Sequence, residues 1–68
     1  MRREMKYYVE WIKPNGLGTD PKVELPENEV RERLSRYYGD IDSVMSVLDE
    51  TGIMTTPYAY YHTEKWYA

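Results

Sequence analysis

A chain of 68 residues holds a single core, since conventional domains take roughly 100 residues or more, and its 41% hydrophobic and 15% aromatic content is that of a chain that folds. Cysteine is absent, which excludes disulfides, thiolate metal ligands and thiol catalysis and leads us to expect a cytoplasmic setting. The formal net charge of −3 argues against broad phosphate-backbone binding, which depends on clustered Lys and Arg.

The start Met1-Arg2-Arg3-Glu4-Met5-Lys6 is basic enough to open a targeting signal, but Tyr-Tyr-Val-Glu-Trp follows, broken by charge and without a small-residue cleavage site. No apolar run reaches the ~20 residues of a membrane helix, so no membrane partner is expected. Residues 5–12 are rich in aromatic and β-branched types, and Tyr7, Val9 and Trp11 share one face at the two-residue period of a strand. Pro14, Asn15, Gly16, Gly18, Asp20 and Pro21 then make a loop over 13–21. Lys22-Val23-Glu24-Leu25 alternates and reads either as a short edge strand or as an extended lead into a helix.

Pro26, with Glu27 and Glu29 in the first turn, starts a helix over about 27–38; Val30, Leu34 and Tyr37 line one side, Arg31, Arg33 and Arg36 suit its later turns, and Gly39 stops it. Residues 40–51 read two ways. As a helix, Asp40 caps it, Ile41, Val44, Met45 and Leu48 form a stripe, and Gly52 ends it. As a strand, the Val-rich stretch from Ser43 to Leu48 runs into a hairpin loop at Asp49-Glu50-Thr51-Gly52. The strand is favoured, because Asp49 and Glu50 at a helix C-terminus would lack a basic neighbour and a one-residue joint at Gly39 is tight for two helices. Met54 to Tyr61 reads as a last strand, with Pro57 demanding an edge or a bulge.

The expected fold is therefore α+β: a small antiparallel sheet of about three strands in the order βαββ packed against one helix, with βααβ the alternative if residues 40–51 are helical. No repeat or low-complexity tract is present, so the whole chain reads as one domain.

Chemistry-bearing patterns are few. His62 is the lone histidine, which excludes a His-rich zinc site or a His acid–base pair, and we expect it to be a partly exposed strand residue. Asp40-x-Asp42 opens like a calcium loop, but Val44 and Met45 stand where ligands and a glycine are needed. Gly16-Leu17-Gly18 lacks the third glycine of a dinucleotide fingerprint and the Gly-Lys-Ser/Thr of a phosphate loop. No cofactor is expected.

Eight Tyr and two Trp against no Phe are the unusual feature, and Tyr7-Tyr8 and Tyr60-Tyr61 are adjacent on strands. Neighbours on a strand face opposite ways, so one ring of each pair belongs to the far side of the sheet. Tyr and Trp provide stiff contact area with a polar end and are enriched at binding hot spots. The sequence thus leads us to expect a non-catalytic protein-interaction module of regulator or inhibitor type, which from its size suits a phage or mobile-element accessory gene. It would bind another protein or itself as a homodimer through Tyr8, Tyr58, Tyr60, His62 and Trp66, with Asn15 and Gly16 of the loop. The alternative is single-stranded nucleic-acid binding by stacking on Tyr58, Tyr60 and Trp66 with Arg31, Arg33 and Arg36 supplying charge.

Overall fold

The computed structural model describes residues 5–67; the basic Arg2 and Arg3 weighed above lie outside the described residues. Strands β1 (Tyr7–Trp11), β2 (Val23–Leu25), β3 (Ile53–Thr55) and β4 (Ala59–Thr63) form an antiparallel sheet in the order β2-β1-β4-β3. Helices α1 (Glu27–Leu34) and α2 (Ile41–Thr51) come between β2 and β3, and a single turn, α3 (Glu64–Tyr67), follows β4. The α+β class expected from sequence holds, with one more strand and further helices. No described helix is long and apolar enough to cross a membrane.

The register sorts the side chains. Tyr7 stands opposite Thr63 and Leu25, Val9 opposite Tyr61 and Val23, and Trp11 opposite Ala59. Cross-strand partners share a face, so these residues, with Met54 opposite Tyr61, line one side of the sheet. Val30 and Leu34 of α1 and Met45 and Leu48 of α2 cover that side, closing a core that includes Tyr7, Val9, Leu25, Ala59 and Tyr61. Tyr8, Glu10, Tyr60 and His62 are the in-between positions of the two central strands and face the other way.

The stretch 40–51 forms helix α2 with its Asp40 cap and not the favoured strand, and both objections to a helix fall away. Helix α1 ends at Leu34 and not near 38, so residues 35–39 form the link and no one-residue joint arises. At the C-terminus of α2, the Tyr7 hydroxyl donates to Asp49 Oδ1 at 2.7 Å and the Lys65 ammonium donates to the Glu50 carbonyl. These supply the donors that the local sequence lacks. Asp40 caps the other end, its carboxylate accepting from the Ser43 amide at 3.3 Å and the Ser43 hydroxyl at 2.9 Å, which holds its pKa below the ordinary range. Gly52 closes the helix at φ +86°, its amide donating to the Leu48 carbonyl.

Two further expectations change. Tyr38, not Tyr37, follows Leu34 into the packing: its hydroxyl donates to the Thr55 carbonyl at 2.6 Å, while Tyr37 is exposed. The single strand over 54–61 is a hairpin, because Thr56 Oγ1 accepts from the amides of Tyr58 and Ala59 and turns the chain at Pro57, where no ladder donor is needed. Lys22-Val23-Glu24-Leu25 resolves as the edge strand β2.

Candidate functional site

The far face of the sheet is built by β1 and β4 and roofed in part by α3. Thr63 starts the return: its amide donates to the Gly52 carbonyl at 3.1 Å and its hydroxyl accepts from the Lys65 amide at 3.3 Å. Gly52 is required there twice, by its positive φ and because a Cβ would lie 3.3 Å from the Trp66 backbone nitrogen. The Glu64 carboxylate accepts from the Lys6 amide at 3.2 Å, joining the turn to the start of β1. Trp66 and Tyr67 are thereby laid over the sheet.

Trp66 stacks on His62 with centroids 4.9 Å apart and planes within 16°, and Tyr67 meets both His62 and Tyr8 edge-on, at 5.5 and 5.4 Å. Beneath them, His62 Nε2 lies 2.8 Å from Glu10 Oε1, and the Tyr67 hydroxyl donates to the same oxygen at 3.0 Å. The Tyr67 hydroxyl is pushed up to about 12, first by loss of water and then by the Glu10 carboxylate that accepts its proton. Lys22 completes the group, its ammonium 3.8 Å from the Tyr67 ring centroid and 4.7 Å from that of Tyr8.

His62 is the clearest departure from expectation: it is 3% exposed, because Trp66 lies on it, and its Nδ1 is buried without a hydrogen-bond partner among the described residues. Of the other expected contact residues, Tyr8, Tyr60 and Trp66 join it on this face, with Tyr60 37% and Trp66 52% exposed. Tyr58 does not: it sits in the β3–β4 turn with its ring 6.3 Å from that of Tyr37, drawn toward the link after α1. Asn15 and Gly16 are exposed at the loop tip, and their hydrogen bonds stay inside the loop, where Asn15 Oδ1 accepts from the Leu17 amide and the Gly16 amide donates to Lys13.

Sequence reading missed Glu10, Lys22 and Tyr67. Lys22 and Glu24 share a face by the strand period, and Glu24 stands opposite Tyr8, so assigning β2 as a strand would have placed Lys22 near the aromatic group. No signal marked Tyr67, since one helical turn carries no readable period.

The arginines that the nucleic-acid alternative needs lie in α1 and the link after it. Arg31 pairs with Glu27 and Asp42, Arg36 pairs with Glu32, and Arg33 sits over the Trp11 ring. Among the described residues, no three His, Cys, Asp or Glu side chains converge as metal ligands. Comparison of the chain with protein-family models, curated proteins and solved structures finds no match in any of the three.

Proposed function

We propose that this chain is a non-catalytic interaction module that presents Trp66, Tyr60 and Tyr67 to another protein or to a second copy of itself. The observation that carries the reading is that Trp66 is half exposed yet held from below: its indole rests on His62, which Glu10 fixes through a 2.8 Å bond. An aromatic side chain ordered before binding loses little freedom on association, which is what an interface anchor requires. A buried imidazole whose Nε2 is engaged by Glu10 is a support for Trp66 more readily than a base for chemistry. The face sets Lys22 against Glu10 and Glu24, and the arginines are spent on α1 and its link, so stacking on single-stranded nucleic acid gains no comparable support.

The test pairs capture with mass. Immobilised wild-type protein is expected to retain a defined protein from source-cell lysate, or to show a concentration-dependent mass by sedimentation equilibrium, and Trp66→Ala and Tyr60→Ala are expected to lose that association. An unchanged association in both variants overturns the reading. Quenching of tryptophan fluorescence by an oligonucleotide at low salt would favour the nucleic-acid alternative.

A further inference from the structure

Tyr8 and Tyr67 meet at 87° with centroids 5.4 Å apart, and the Lys22 ammonium sits in the corner between them. Two perpendicular ring faces around a cation are the arrangement by which aromatic side chains hold alkylammonium groups. The corner is polarised toward that task, because Tyr67 donates its hydroxyl proton to Glu10 at 3.0 Å, which raises electron density in its ring. Among the described residues Lys22 forms no ion pair, so the rings are what hold its charge. Lys22 is itself exposed and stands at the end of the loop, next to the three-residue edge strand β2. Among the described residues the outer edge of β2 has no neighbouring strand, and a polypeptide aligning there would carry its side chains past the corner.

We propose that the Tyr8–Tyr67 corner is a receptor for the alkylammonium group of a lysine on a partner polypeptide, with Lys22 as its internal placeholder. The polypeptide source rests on the interaction reading above; the chemistry of the corner does not. An N-methylated lysine displaces Lys22 more readily than an unmodified one, because the methylated head is less strongly hydrated and gives up less on leaving water.

The experiment titrates N-acetyl-lysine N′-methylamide, its Nε-trimethyl form, the neutral norleucine analogue and choline into wild-type protein and Lys22→Met, following the ring protons of Tyr8 and Tyr67 by NMR. Saturable shifts are expected in Lys22→Met with both lysine probes, larger affinity for the trimethyl form, and binding weaker by about two- to five-fold in wild type, where Lys22 competes. Tyr67→Phe in the Lys22→Met background keeps the ring and is expected to retain binding; Tyr67→Leu is expected to abolish it, with circular dichroism showing both variants folded. Absence of a saturable shift, equal binding of the norleucine analogue, undiminished binding in Tyr67→Leu, or binding of choline without either lysine probe each overturns the proposal. The titration needs no partner, so a failed capture experiment with a successful titration sinks the interaction reading alone, and the reverse outcome sinks the corner alone.

Discussion

The indole of Trp66 lies parallel to the imidazole of His62, 4.9 Å away, and the imidazole is in turn fixed to Glu10. Trp66→Ala is expected to cost only about 1 kcal/mol of stability, the scale of one partly exposed aromatic pair, while removing the proposed partner association. Urea denaturation followed by circular dichroism measures the first effect and the capture assay the second. A large loss of stability in this variant would mean that Trp66 serves the core and not the surface.

Gly52 links α2 to β3 where α3 crosses over it. Gly52→Ala forces a side chain onto φ +86° and places a Cβ 3.3 Å from the Trp66 amide nitrogen, so about 1–2 kcal/mol of destabilisation is expected. The same substitution should shift the Trp66 emission to longer wavelength as α3 is pushed away from His62. A stabilised variant with unchanged emission would contradict the close approach.

Three tyrosines hold their protons more tightly in the folded chain than in water. Tyr7 is raised by burial first and then by Asp49, Tyr61 mainly by burial, and Tyr67 to about 12 by burial and Glu10. Their stabilisation is whole below the unfolded value of about 10 and is lost as pH rises from there through the folded values. Thermal midpoints measured from pH 8 to 12 should fall above pH 10, and Tyr7→Phe should fall less steeply while starting lower by about 1 kcal/mol for the lost bond to Asp49. A wild-type midpoint that stays level across this range would count against the raised values.

Leu34 and Leu48 are fully buried where the two long helices meet the sheet. Either residue changed to Ala is expected to cost about 2–5 kcal/mol, which is comparable to the whole margin of so small a domain. Loss of the cooperative thermal transition is the readout, with the exposed Leu17→Ala as the silent control.

What the sequence made legible was local. The strand at Tyr7–Trp11, the proline start of α1 and the opposed faces of Tyr7 and Tyr8 follow from period and backbone chemistry, and the structure keeps them. For the same reason local pattern favours a strand over the helical alternative at α2: the donors that satisfy its acidic end come from Tyr7 and Lys65, far away in the chain. At the site, alternation and composition alone point to Tyr8, Tyr60 and Trp66. The burial of His62 was illegible, because it depends on one helical turn folding back after β4.

The placement of β4 between β1 and β3 bears on how the chain is made. When synthesis has delivered residues up to Thr55, the residues of β1, β2, β3 and both long helices have been made, but the strand that joins β1 to β3 has not. Because β4 pairs with both β1 and β3, the sheet cannot close before residues 59–63 are present. A nascent chain stalled just before Ala59 would consequently be the species most in need of a chaperone, and one released after Thr63 could complete its sheet in a single cooperative step.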